Sequence, residues 1–265
     1  MKLHHIIIIV FLVSCTAGCV TVSKKRYWPD GTLQSTYTAD SRGMPEGLMQ
    51  DYYQNGNLKL EWNFANGKKE GTCKSYYENG QLKEELVYRN GKLAGTCSLY
   101  FEDGTVKESA VYNDDMRNGL TKRYYRSGAI KKETVYINGI EDGICKQYFW
   151  NGNVKQQCTY KNGKPEGTCT GFFDNGGIKE KFSYSNGKKN GTALLYYPDR
   201  TLREKITYSN GLMHGIRKQY YINGTVMKES HYTNDLLDGV SRTYDDSGRL
   251  RKTQYYKGGL EEFRQ

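Results

Sequence analysis

The sequence predicts an all-β fold: an elongated repeat protein, a single twisted antiparallel β-meander of about ten 24-residue β-hairpins. Three observations carry this. A glycine followed five residues later by an aromatic starts a block at Gly47, Gly71, Gly95, Gly119, Gly143, Gly167, Gly191, Gly215 and Gly239, with no insertion between blocks. A strict period of this size marks stacked supersecondary units rather than a globular domain around one buried site. Two Asn-Gly pairs recur in the block, and that dipeptide is the strongest short hairpin signal. Between the pairs lie runs of strand length rich in Tyr, Phe, Val and Thr, and no sustained helical period follows residue 20.

A degenerate first copy, residues 22–46, carries Tyr27-Trp28-Pro29-Asp30-Gly31 and then Gly43-Met44-Pro45-Glu46. The repeat ribbon is expected over residues 27–262, with a short tail at 263–265. In the block of Gly71, a two-residue loop at Asn79-Gly80 sets Tyr77 opposite Leu82, Tyr76 opposite Lys83, Lys74 opposite Glu85, Cys73 opposite Leu86 and Gly71 opposite Tyr88. One face then carries aromatic-on-aliphatic pairs such as Tyr53/Leu58, Tyr77/Leu82, Phe101/Val106 and Phe149/Val154. Tyr88 and its repeats cover the first glycine of each block, and the other face pairs Lys74 with Glu85, Lys122 with Glu133 and Lys218 with Glu229.

The unit Tyr76-Tyr77-x-Asn79-Gly80-x-Leu82-Lys83 followed by Tyr88-x-Asn90-Gly91-Lys92-x-x-Gly95 resembles the MORN-type repeat. The resemblance is to the variant form found in bacterial YwqK-like proteins, a family often labelled as antitoxins. It covers Val22 to Glu262 and implies an elongated ribbon with one hairpin per repeat. The last block departs from the pattern, with Asp245 where the other full blocks have a second aromatic; this suits a more polar terminal cap.

The N-terminus is a separate message. A positively charged start precedes Ile6–Val13, an apolar core too short to span a bilayer and shaped like a signal peptide. Leu12-Val13-Ser14-Cys15 resembles a bacterial lipobox, so residues 1–14 read as a lipoprotein signal with Cys15 as the lipidated residue. The alternative is residues 1–18 with Cys19. Residues 15–26 would be the lipid-anchored linker, ending in Lys24, Lys25 and Arg26. The expected address is the cell envelope, lipid-anchored through the membrane, and the outer membrane if the host is Gram-negative.

The formal net charge is +10, and much of it is ordered. Lys59, Lys83, Lys107, Lys131, Lys155, Lys179 and Arg203 hold one position of the unit, making a ladder with rungs ~10 Å apart at two strand spacings. Tyr76, Tyr100, Tyr124 and Tyr148 run beside it. Cations flanked by aromatic faces could hold an acidic protein surface, an anionic glycan or a lipid. The plainer reading is that lysine keeps a one-layer sheet soluble and blunts its edges. Nucleic acid suits the charge but not an exported lipoprotein.

Cys73, Cys97, Cys145 and Cys169 share another position, whose copies lie too far apart for a bridge. Cys145 falls opposite Cys158 as a candidate disulfide, and a longer loop at Asn162-Gly163 would bring Cys169 opposite Cys158 instead. No catalytic constellation stands out. His214 and His231 lie in different blocks, the glycine-rich stretches are hairpin turns, and no cysteine or histidine spacing suits a metal. The expectation is no catalytic residue, no metal and no cofactor, with an unidentified protein partner.

Overall fold

The computed structural model describes residues 9–14 and 20–262. The described residues are all-β, with no helix among them. They fall into two compact units, Met1–Ala129 with Tyr136–Gly139, and Ile130–Val135 with Ile140–Gln265. Within each unit the chain is an antiparallel meander of hairpins. In the first unit the block of Gly71 runs out along Gly71–Tyr76 and back along Leu82–Arg89. In the second the block of Gly191 runs out along Gly191–Tyr196 and back along Leu202–Ser209.

The first turn of the block departs from expectation. Tyr77 N–H donates to the Gln81 carbonyl at 2.8 Å and Gly80 N–H to the Tyr77 carbonyl at 2.9 Å, which closes a three-residue loop rather than a two-residue one. Only Gly80 is left-handed, at φ +86°, while Asn79 keeps an ordinary φ and accepts the Gln81 N–H on Oδ1 at 2.9 Å. This is a type I turn closed by a left-handed glycine. Tyr76 therefore faces Leu82, and Ser75 faces Glu84, leaving Lys83 as an extra residue on the returning strand. The extra loop residue and this β-bulge cancel, so Lys74/Glu85, Cys73/Leu86 and Gly71/Tyr88 pair as expected. The expected tip pairs shift by one residue throughout: Tyr52/Leu58, Tyr100/Val106 and Tyr148/Val154 replace Tyr53/Leu58, Phe101/Val106 and Phe149/Val154.

The second turn is a two-residue type I′ loop. Asn90 and Gly91 are both left-handed, at φ +52° and +83°, and Arg89 faces Lys92 across it. Its amides are held by the preceding block. Gly91 N–H donates to the Lys69 carbonyl at 2.8 Å, and Asn90 N–H to the Glu70 carboxylate at 2.6 Å. The same carboxylate clamp joins Asn66 to Glu46, Asn162 to Asp142 and Asn186 to Glu166. After the turn the register slips, because Phe64 faces Lys69 whereas Glu61 faces Lys74. Gly71, at φ +75°, sits in that slip, which is the backbone reason the block begins with glycine.

The core is thin and lies on one face. In the first unit its floor is Cys73, Cys97, Ala110 and Thr121; in the second it is Cys145, Cys158, Cys169, Ala193, Ile206, Ser230 and Ser241, all buried. Burial pushes the Cys73 and Cys97 thiols up from their ordinary range, and raises the Tyr88, Tyr160 and Tyr208 hydroxyls on the same face. Lys69 lies between Trp62 and Tyr88, its ammonium 3.6 and 4.9 Å from their centroids. Lys189 lies likewise between Phe182 and Tyr208, at 4.0 and 5.0 Å. Cation–π contacts of this kind contribute about 0.5–2 kcal/mol each as water is excluded. The opposite face carries the expected ion pairs Lys74–Glu85 at 3.5 Å and Lys218–Glu229 at 2.7 Å.

The N-terminal residues differ from expectation in one respect. Val20–Tyr27 is a strand paired with Leu33–Ala39, so Lys24, Lys25 and Arg26 belong to the sheet and not to a linker. Ile9–Ser14, within the expected signal segment, forms a strand beside Val20–Lys25. Cys15, Cys19 and residues 263–265 lie outside the described residues.

Candidate functional site

The cationic ladder is built by the bulge. In six blocks the extra residue is Lys59, Lys83, Lys107, Lys155, Lys179 or Arg203, whereas it is Gln34 in the first copy, Met227 in the block of Gly215 and Arg251 in the last. A residue outside the ladder pairing is freed from a cross-strand neighbour, and all six side chains are exposed. Lys131 holds the same position in its block and is also exposed. Among the described residues none of those six forms an ion pair within 4 Å, whereas Arg251 at the C-terminal end pairs with Asp245 at 2.7 Å. The six cations are thus available to an outside anion.

The rings beneath them are not the expected ones. Lys59, Lys83, Lys107 and Lys155 place their ammonium groups 5.5, 5.8, 5.9 and 5.8 Å from the centroids of Tyr53, Tyr77, Phe101 and Phe149. These are the second aromatics, flanking the loop. The bulge turns the lysine toward the loop instead of across the strand, so Tyr76, Tyr100 and Tyr148 do not serve as its platform. Tyr148 instead donates to Glu133 at 2.6 Å, and burial followed by that carboxylate pushes its hydroxyl up to about 12. Burial, then Glu61, raises the Tyr76 hydroxyl. Tyr124 is half-buried on its strand.

Hydrogen bonds between loop tips fix the rung spacing. The Tyr53 hydroxyl donates to the Tyr76 carbonyl and Tyr77 to the Tyr100 carbonyl, both at 2.8 Å; Tyr197 reaches Tyr220 and Tyr221 reaches Tyr244 in the same way. Asn79 Nδ2 donates to the Glu102 carbonyl at 3.0 Å, matched by Asn55 to Glu78, Asn151 to Asp174 and Asn223 to Asp246. Each of these four asparagines closes its own turn with oxygen and ties the next block with nitrogen, while Asn175 only closes its turn. Sequence reasoning read these residues only as turn formers. The recurrence of Tyr-x-Asn at one block position was the signal that could have revealed the tie.

A groove of about 320 Å³ opens in the first block, lined by Arg26, Trp28, Tyr37, Met49, Asp51 and Lys59 among others. The Trp28 indole N–H is buried there with no hydrogen-bond acceptor. Burial raises the Asp51 carboxyl, with Lys59 and Arg26 opposing the shift. His231 faces Ile216 and His214 N–H bonds the Thr207 carbonyl, so the two histidines share no site. Among the described residues no group of three His, Cys, Asp or Glu is placed to hold a metal ion.

The disulfide goes to the partner left as the alternative. Cys158 is bonded to Cys169 across a Cα separation of 4.2 Å, and Cys145 is a free, buried thiol. Cys145 does face Cys158 in the hairpin register, but Gln157/Thr170 pairing sets Cys169 on the other side of Cys158. The expected Cys145–Cys158 bridge is corrected accordingly.

A family model for the MORN repeat variant matches residues 45–66, 69–90, 117–138, 141–162, 165–186, 213–234 and 237–257, more than half of the chain. The chain belongs to the MORN repeat variant family. The MORN repeat model itself matches residues 87–106 and 183–201. Those MORN segments lead into first turns that carry an aspartate, Asp103 and Asp199, whose carboxylates accept both the amide and the hydroxyl of Thr105 and Thr201. An aspartate closes its own turn but has no N–H to offer the next block. No curated protein matches the chain.

Proposed function

We propose that the protein is a non-catalytic, cell-envelope lipoprotein whose MORN blocks present a multivalent surface of repeated aromatic rings to a protein partner. The observation that supports this most is a half-buried ring at one position of successive blocks, Tyr53, Tyr77 and Phe101 in the first unit and Phe149 and Tyr197 in the second, with Tyr53, Tyr77 and Tyr197 tied to the next block by their hydroxyls. Each contact is weak, and rigid spacing sums them. Neutralisation of a toxin, the label often attached to the YwqK-like proteins that the repeat resembles, is one special case of such binding. The lipid anchor rests on residues 1–19 of the sequence, and cleavage before Cys15 would remove the strand Ile9–Ser14 and leave Val20–Tyr27 as a sheet edge.

A second reading is favoured by the lack of carboxylate partners within 4 Å on Lys59, Lys83, Lys107, Lys155, Lys179 and Arg203: an anionic envelope polymer or lipid. Salt separates the two: a polymer or lipid held on an unburied charge ladder is screened within a Debye length of about 8 Å at physiological ionic strength, whereas a protein held by ring contacts is not. The test is capture from envelope extract on the chain from Val20 onward, washed at low and then high salt. One protein retained near stoichiometry through the salt wash is expected. Release of glycan or lipid alone, abolished by charge reversal of Lys83, Lys107, Lys131 and Lys155, would replace the first reading with the second. Metabolic labelling with palmitate tests the anchor: Cys15→Ser should lose the label, and loss only in Cys19→Ser would move the site.

A further inference from the structure

We propose that Cys145, Cys158 and Cys169 form an intramolecular thiol–disulfide relay, in which Cys145 displaces Cys169 from Cys158 and moves the bridge into a single hairpin. The three residues stand on successive neighbouring strands, Ile140–Tyr148, Val154–Lys161 and Lys164–Phe172. Cys145 is the direct register partner of Cys158, which is bonded to Cys169 on its other side. Cross-strand partners hold Cα atoms ~4.5–5.5 Å apart, within the ~4.4–6.8 Å that a disulfide spans. Because Cys158 is the middle of the row, attack from the Cys145 side is opposite the departing Cys169 sulfur, the in-line approach that displacement at sulfur requires.

All three side chains are on the buried face, with relative exposures of 6 %, 5 % and 5 % in chain order. In other blocks the step of this row across the block boundary likewise brings side chains into contact. Ser230 and Ser241, at the positions of Cys158 and Cys169, share a hydrogen bond of 2.9 Å, and Thr134 Oγ1 lies 3.6 Å from Cys145 Sγ. The other buried thiols lack a row of this kind: Cys73 faces Leu86 and Cys97 faces Ala110.

The exchange balances without an outside oxidant. The Cys145 thiol gives up its proton, its sulfur bonds Cys158, the Cys158–Cys169 bond breaks, and the electron pair leaves on Cys169, which takes a proton. One disulfide and one thiol are present before and after. The two forms differ in what is clasped. The Cys158–Cys169 bridge ties one block to the next, while a Cys145–Cys158 bridge ties the two strands of one hairpin and leaves the block boundary to hydrogen bonds alone.

The full chain, incubated in a glutathione redox buffer, quenched in acid and alkylated under acidic denaturing conditions, would be peptide-mapped for its free cysteine. Two populations are expected, one labelled at Cys145 and one at Cys169. Cys145→Ser should leave only the Cys158–Cys169 bridge, and Cys169→Ser should hold Cys145–Cys158, with circular dichroism confirming that each variant is folded. The wild-type map decides without them: label at Cys145 alone after prolonged incubation, or at all three cysteines, would overturn the relay.

Discussion

The two turns of one block are written with the same two letters and take different shapes. At Asn79-Gly80 the asparagine keeps an ordinary backbone and only the glycine is left-handed; at Asn90-Gly91 both are left-handed. The first turn is a three-residue loop answered by a bulge, and the second a tight pair answered by a carboxylate from the preceding block. The dipeptide therefore states that the chain reverses, not how. What decides the shape is the strand that follows: one residue too many at Lys83 after the first turn, strict pairing of Arg89 with Lys92 after the second.

The sharpest way to break the comparison is to remove the bulge. Deleting Lys83 alone makes Tyr76/Leu82 and Ser75/Glu84 consecutive pairs, so the outer register survives while the three-residue loop loses the bulge that takes up its twist. A loss of about 2 kcal/mol is expected, read as a fall in the urea midpoint. Deleting Glu78 together with Lys83 shortens the loop to Asn79-Gly80 with the same outer pairs. Part of the lost stability should return, and failure to return would show that loop and bulge are not matched to each other.

A single substitution should have opposite signs at the two turns. Asn79→Gly removes the bonds to the Gln81 amide and the Glu102 carbonyl and is expected to cost about 1–2 kcal/mol. Asn90→Gly relieves a left-handed side chain and is expected to be neutral or stabilising by about 0.5–1 kcal/mol. Equal destabilisation at both sites, in parallel denaturant titrations, would mean that the two asparagines do one job.

Arg200 sharpens the same point from the other side. It occupies the left-handed place that Gly80 holds, at φ +75°. Arg200→Gly should stabilise the block by about 1 kcal/mol, seen as a rise in the urea midpoint.

The smallest effect concerns acid. Asp103 closes its turn through the Thr105 hydroxyl and amide, and these bonds hold its carboxyl below the usual carboxylate range. A group depressed in the folded state contributes stability above its unfolded pKa and loses it as pH falls through the folded value. Asp103→Asn should therefore flatten the acid limb of stability below the ordinary aspartate pKa without changing it near neutrality. Urea midpoints taken across that window would show it, and an unchanged acid limb would remove Asp103 from the account.

Much of this was legible in the chain. The period gave the blocks, and the Lys74/Glu85 and Cys73/Leu86 partners follow from any loop whose excess residue is absorbed before Ser75. The tip was not legible, because a two-residue loop and a three-residue loop with a bulge predict the same outer pairs. For the same reason the ladder positions were found but their platforms were misassigned, from Tyr77 to Tyr76. The choice between Cys145 and Cys169 as partner of Cys158 turned on the slip after Asn162-Gly163, which composition does not encode. The clamp of Asn90 by Glu70 was missed because carboxylates were read as partners across one hairpin, not between two.

The ties between blocks have an evolutionary consequence. Every clamp described joins a residue to one in the next block at the same interval, as Glu166 does Asn186. Excising Gly167–Asn190 would join Glu166 directly to Gly191 and deliver the Asn210 amide to the place Asn186 vacates. A recombination event that gains or loses one such unit leaves both new joints chemically equivalent to the old. Chain length in this architecture is thus a heritable variable that can change by whole rungs, lengthening or shortening the display without redesigning any single contact.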